Sequence, residues 1–321
     1  MRTAFNRSIL LGIILVFLVA GCAKQEVKPE AKAAEPAGSY LTIKDDAGRT
    51  VVLAKKPERI VVLSPSYLEL LYAVDGQAVG RPNSRTGDMP DKAKSLPEVG
   101  FVYNINTEKL LSLQPDLVIA FQGMHEKLLP LLESSQIPVI VLKMKTYDDV
   151  AAKVKLFSQI AGTTETGDKL LKEMDSRVKN ITDKLPPTPK KVAILHATAK
   201  SVTLEMETSV AGDIAKRLKL INVAAGSRPL DTDADATPYS LEKLAEQDPE
   251  LILVVKMGQS AEIESRLRAD VENNPAWSSL RAVKQNKVLF LPSDLFLLNP
   301  GLKMPEAFET MAKTVYPEVY K

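Results

Sequence analysis

The amino-acid sequence predicts an α/β protein: two mainly parallel-sheet α/β lobes with one long helix between them. Three observations lead there. From about residue 41 to residue 146, short apolar runs alternate with segments of helical spacing, the pattern of a parallel sheet covered by helices. From Tyr147 to Leu185 no convincing strand occurs. The alternation then restarts and continues to the end of the chain. A length of 321 residues, 45% of them hydrophobic, suits one large domain or two modest ones.

The first residues read as a targeting segment. Arg2 and Arg7 precede "ILLGIILVFLVA" (Ile9 to Ala20), an apolar run of 12. A bilayer-spanning helix needs roughly 20 such residues, whereas this length fits a signal-peptide core. The run ends in Ala-Gly-Cys22, which resembles a bacterial lipobox, and Cys22 is the chain's sole cysteine. Residues 1–21 are therefore expected to be removed and Cys22 to carry lipid, holding the protein at a membrane surface. Residues 22–40, rich in Ala, Lys, Glu and Pro, read as a flexible tether. The folded part is thus expected outside the cytoplasm, anchored to the cell membrane.

"YLTIKDDAGRTVVL" reads as a hairpin turning at Asp46-Ala47-Gly48. The apolar run Ile60 to Leu63 suits a buried parallel strand, Ser64-Pro65-Ser66 breaks it, and "YLELLYAV" has helical spacing up to Gly76. "DLVIA" and "PVIVL" are strands, with "HEKLLPLLESS" helical between them despite Pro130. Leu170, Leu171, Met174, Val178, Ile181 and Leu185 recur at spacings near three and four, which predicts a helix from about Glu165 to Lys184, ended by "PPTP". "KVAIL", "ELILVV" and "KVLFL" are the strands of the second half, and "VAGDIAKRLKL", "YSLEKLAEQ", "AEIESRLRADVEN" and "PEAFETMAKTVY" its helices. The expected division is a lobe at 41–162, the bridging helix at 163–186 and a lobe at 187–321.

Composition excludes several function classes. Formal net charge is +2, from 42 basic and 40 acidic residues, which gives no support for a nucleic-acid partner. One cysteine rules out a disulfide scaffold or a cysteine-held cluster, and two histidines cannot build a three-imidazole zinc site. No GxSxG, Walker A or dinucleotide fingerprint is present.

One segment occurs twice. "INTEKLLSLQPDLVIA" and "YSLEKLAEQDPELILV" align without a gap, 134 residues apart. Asn106 and Ser240 fall at equivalent helix-capping positions, and Glu108 and Glu242 follow in the first helical turn. Two readings are open. A carboxylate there is favoured by the partial positive charge of the backbone amides, worth roughly 0.3–1 kcal/mol, or the pair serves a shared function.

"KPERIVVLSPSYLELLYAVDG", "INTEKLLSLQPDLVIA" and "NKVLFLPSD" resemble the substrate-binding proteins of bacterial ABC importers, in the branch for iron-siderophores, haem and cobalamin. The resemblance implies a ligand cleft between two lobes joined by one stiff helix, a permease dimer as partner, no catalysis and a monomer. It also implies that Glu108 and Glu242 engage permease arginines. The transported ligand, a ferric siderophore or haem with cobalamin as an alternative, takes the place of a cofactor.

The cleft is expected at loops after the strands' carboxyl ends, in "VGFVYN", "FQGMHEK", "HATAKSVTLEMETS", "DATPY" and "SDLFLLNPG". Tyr67, Tyr103, Phe121, Tyr239 and Phe296 are candidates to stack on a flat chelate. His125 and Met206 are a candidate axial pair for haem iron. Arg85 and Lys256, with Arg81, Lys145 and Lys200, are candidate cations for an anionic chelate. Two further readings compete: a chelatase-like or oxidoreductase enzyme of the same architecture, which fold alone does not exclude, and a binder of bare zinc or manganese ions.

Overall fold

The computed structural model describes residues 38–83, 89–258, 261, 263, 265, 274–298 and 300–320. The signal segment, Cys22, most of the tether, Arg85 and most of "AEIESRLRADVEN" lie outside the described residues. The expected hairpin is present: β1 (Leu41–Lys44) pairs antiparallel with β2 (Thr50–Leu53). Asp45 fastens it, accepting hydrogen bonds from the Arg49 guanidinium and from the Val141 amide of a neighbouring strand. Just before β1, Tyr40 donates its hydroxyl to Gln159 O at 2.8 Å.

The first main sheet contains β3 (Ile60–Val62), β7 (Leu117–Phe121) and β8 (Val139–Leu142), parallel throughout in the order β3-β7-β8. Every residue of these strands except Phe121 is buried, as unbroken apolar runs require. α1 (Pro65–Ala73) follows β3 with proline in its first turn. "HEKLLPLLESS" is not one helix. A 3-10 turn at Glu126–Leu128 gives way to α3 (Leu129–Ser134), which places Pro130 in a first turn, where its missing amide costs nothing. "VGFVYN", expected as a loop, belongs to a small sheet of β4 (Arg81–Asn83), β5 (Glu98–Phe101) and β6 (Asn104–Ile105). Gly100 permits its tight return: φ is +106°, and a Cβ there would meet Asn104 O at 2.5 Å.

Two helices lead from the first sheet to the second. α4 (Tyr147–Ala161) ends at Gly162 in a left-handed conformation, and α5 (Thr164–Thr182) is the helix expected near Glu165 to Lys184. α5 packs against α4 and against the final helix, Met304–Val315.

The second sheet is mixed. β9 (Lys191–Thr198), β13 (Leu251–Met257) and β14 (Val288–Leu291) are parallel neighbours in that order, and short β11 (Ile221–Asn222) runs parallel to the start of β9. β10 (Val202–Glu205) and β12 (Ala236–Pro238) add antiparallel strands on the other side of β9. "HATAKSVTLEMETS" is therefore largely a β9–β10 hairpin, closed where the Ser201 amide donates to Thr198 Oγ1 at 2.9 Å. α6 (Val210–Arg217) and α7 (Leu241–Gln247) cover this sheet.

A single apolar cluster takes in Val62 and Ile140 of the first sheet, Tyr67 of α1, Phe157 of α4, Met174 of α5, and Ile194, Leu253 and Phe308 of the second half. Separate clusters lie on the opposite face of each sheet.

The repeated segment builds the same device twice. In α2 (Thr107–Ser112) and α7, Asn106 and Ser240 accept from the amides of Lys109 and Lys243, as capping residues do. Gln114 and Asp248 both take positive φ, 46° and 42°, to turn the chain into the next strand. Asp116 accepts from the amides of Glu58 and Arg59 at 2.9 and 2.8 Å, and its counterpart Glu250 accepts from that of Lys191 at 3.1 Å. Arg59 reaches Leu113 O, and Lys191 reaches the equivalent Gln247 O. Each acid thus clamps its own strand to the strand before it. Asp116→Ala is expected to lower stability by about 1–2 kcal/mol, the cost of leaving donors unpaired, and Glu250→Ala by less because it frees one amide. Urea unfolding of both variants and the double variant checks this, since well-separated clamps add to within about 0.5 kcal/mol. A neutral Asp116→Ala refutes the clamp.

Candidate functional site

The carboxyl ends of the strands in both halves meet around a small cavity of about 180 Å³. Phe121 closes β7, Met144 and Lys145 follow β8, His196 sits near the end of β9, and Phe296 to Leu298 follow β14. Asp233, Asp235 and Ala236, around the start of β12, complete one wall. Small-molecule sites commonly occupy ~300–1,000 Å³, so this cavity is less than a full chelate site.

Its floor is a polar network. Glu205 is 5% exposed, and both its oxygens are engaged. His196 Nδ1 lies 3.3 Å from Glu205 Oε1, and Ser209 Oγ donates to Glu205 Oε2 at 2.7 Å. Ser209 also caps α6 by accepting from the Gly212 amide. A buried carboxylate is tolerable only when paired in this way. The hydrogen bond to Glu205 raises the His196 pKa, against burial, which pulls it down.

Charged groups join the two halves beside the cavity. Lys145 forms an ion pair with Asp235. The Tyr147 amide donates to Asp213 at 2.8 Å, and Arg217 pairs with Asp148 and Asp213 while lying over the Tyr147 ring. A second cavity, of about 780 Å³, is bordered by Lys145 and Asp235 as well, and otherwise by residues such as Gln122, Thr146, Glu207 and Arg217.

Of the residues singled out in the sequence, Phe121, Phe296 and Lys145 line the smaller cavity. Tyr67 does not. It is fully buried, donates its hydroxyl to Leu142 O at 2.7 Å and packs against Phe121 and Phe157, so it supports the wall from behind. His125 is 1% exposed. Its Nδ1 accepts from the Phe121 amide and its Nε2 donates to Val102 O, which leaves neither nitrogen for a metal. Burial lowers its pKa, so the neutral imidazole braces the loop. Met206 and Tyr239 pack into the cluster on the opposite face of the second sheet, where Tyr239 lies against Trp277. Tyr103 is largely exposed and stacks on Phe101, and Lys256 lies over the Phe290 ring; neither lines the cavity. Arg81 is buried against Glu98 and Lys94 O. No group of three or more His, Cys, Asp or Glu among the described residues is placed to hold a bare metal ion.

Glu108 and Glu242 are exposed in the first turns of α2 and α7, where Asn106 and Ser240 already supply the capping bonds. Sequence reasoning did not single out His196, Glu205, Ser209 or Asp235. Ser209, directly before α6 begins at Val210, carried a helix-cap signal; the others carried none beyond lying in segments expected at the cleft, His196 and Glu205 in "HATAKSVTLEMETS" and Asp235 in "DATPY".

A family model described as periplasmic binding protein matches residues 60–295. The chain belongs to the periplasmic binding protein family. Among relatives of this periplasmic binding protein, the uncharacterized ABC transporter substrate-binding lipoprotein YvrC of Bacillus subtilis is 24% identical over 96% of each chain. The Fe(3+)-citrate-binding protein YfmC of the same organism is 27% identical, covering 100% of this chain and 99% of that one. The crystal structure of Staphylococcus aureus IsdE complexed with heme superposes with a TM-score of 0.68 at 21% identity, over 82% of this chain and 99% of that one, and so shares the fold.

The two histidines are expected to titrate on opposite sides of the ordinary value of 6.5, His125 below and His196 above. For His196 the raised folded value means stabilisation that is full below the unfolded value and lost as pH rises through the folded one. For His125 the lowered value means stabilisation that is full above 6.5 and lost as pH falls through the folded one. Two-dimensional NMR titration of the imidazoles reads both directly, and the reverse order refutes the assignment.

Proposed function

We propose that this chain is the solute-binding component of an ABC importer, capturing an iron chelate, a siderophore or haem, in the cleft between its halves. One observation carries the reading: strand carboxyl ends of both sheets converge on a cavity with aromatic walls, Phe121 and Phe296, and a polar floor, His196 and Glu205. Apolar walls with a few placed polar groups are what a small-molecule site needs. The protein transports and performs no chemistry. It works outside the cytoplasm as a monomer tethered to the membrane by lipid on Cys22, with lobes at 41–162 and 187–321 and residues 163–186 between them.

Glu108 and Glu242 are the proposed contacts to the two halves of the permease dimer. Exposed ion pairs individually contribute little, but one fixed on each half sets orientation and steers encounter. Absorption and fluorescence titration of the chain with haem, ferric citrate and ferric siderophores is expected to show saturable binding of at least one. No binding of any overturns the chelate reading. Reversal of both glutamates to lysine should leave that affinity within about twofold and reduce uptake in cells to background, and persisting uptake sinks the docking assignment.

A further inference from the structure

We infer that Lys145 and Asp235 form a displaceable partition inside the cleft, and that a carboxylate-bearing metal chelate takes the place of Asp235 on Lys145. This rests on the chelate-binding reading of the same cavity and names the chemistry of the ligand. The ion pair joins residues from the two halves of the chain, Lys145 after β8 and Asp235 before β12. These are the two residues shared by the cavities of about 180 and 780 Å³. When this one pair opens, a space smaller than a metal chelate joins one large enough to hold it.

The pair is built to exchange. The Lys145 side chain is 47% exposed and that of Asp235 20%, and partly exposed ion pairs hold weakly. The Asp235 backbone is fixed at both ends, its amide donating to Asp233 Oδ1 and its carbonyl accepting from Met206, so rotation of the side chain alone releases Lys145. Two neighbouring charges have firmer commitments: His196 is held by buried Glu205, and Arg217 by Asp148 and by buried Asp213. Removing one partner from a buried charge is expensive, and Lys145 is the cation that borders both cavities, so the ligand's carboxylate goes to Lys145.

The test uses the full chain in detergent micelles, with ferric citrate as the carboxylate probe and a ferric trihydroxamate lacking carboxylates as control. Asp235→Asn is expected to tighten ferric citrate binding at least fivefold and Lys145→Gln to weaken it about tenfold, while the trihydroxamate shifts less than twofold in either variant. Unchanged or weaker citrate binding by Asp235→Asn, or an equal shift for the trihydroxamate, overturns the proposal. Hydrogen exchange separates this from failure of the chelate reading. Amides of residues 143–147 and 234–238 should exchange several-fold faster in Asp235→Asn. Faster exchange with no binding of either probe leaves the partition standing and removes the chelate; unaltered exchange overturns the partition itself.

Discussion

The apolar cluster containing Val62, Ile140, Phe157, Met174, Ile194 and Phe308 belongs to both main sheets at once, and the geometry of the cleft follows from it. Each such side chain contributes about 1.5–3 kcal/mol by leaving water. Exposing those six would cost roughly 9–18 kcal/mol on the same scale, more than the ~8 kcal/mol released by a ligand of micromolar affinity. Ligand binding therefore cannot be driven by pulling the sheets apart through their common core. The proposed adjustable region is the ion pair in the polar seam at its edge, where Lys145 meets Asp235. On that proposal, a stiff body and a cavity of about 180 Å³ are reconciled with a chelate ligand by the opening of one ion pair.

The seam also explains the arrangement of charge. The buried members, Glu205 and Asp213, have their oxygens filled by hydrogen bonds from His196, Ser209, Tyr147 and Arg217. Partners at the solvent side are single and partly wet. Polar groups thus become more replaceable toward the outside of the cleft, the direction from which a solute arrives.

Much of the fold was legible because it depends on local pattern. Unbroken apolar runs marked β3, β7, β8, β9 and β13, and the spacing of Leu170, Met174 and Ile181 marked α5. The duplicated segment was legible down to its caps, Asn106 and Ser240. Its clamps were not, because Asp116 and Glu250 act on amides 57 and 59 residues away along the chain. The antiparallel strands β10 and β12 were hidden for a related reason: short, polar-flanked segments acquire strand geometry only from a neighbour. The site was the least legible part. Phe121 and Phe296 followed from their positions at strand ends, but Tyr67 and His125, equally well placed in sequence, point inward and satisfy carbonyls and amides of the framework. Glu205 gave no signal, since a buried acid is recognised only by the partners that surround it.

Tyr40 gives the fold a mechanical character. Its amide bonds to Leu53 O and its hydroxyl to Gln159 O, at the far end of α4 from Lys145 and the cleft. Fifteen helical residues separate the two ends, about 22 Å at 1.5 Å per residue. A pull arriving along the chain from its N-terminal side is shared between a small hairpin and the last turn of a helix, and it meets neither main sheet first. The hairpin side of the fold can take load while the far end of α4, beside the cavity, keeps its shape.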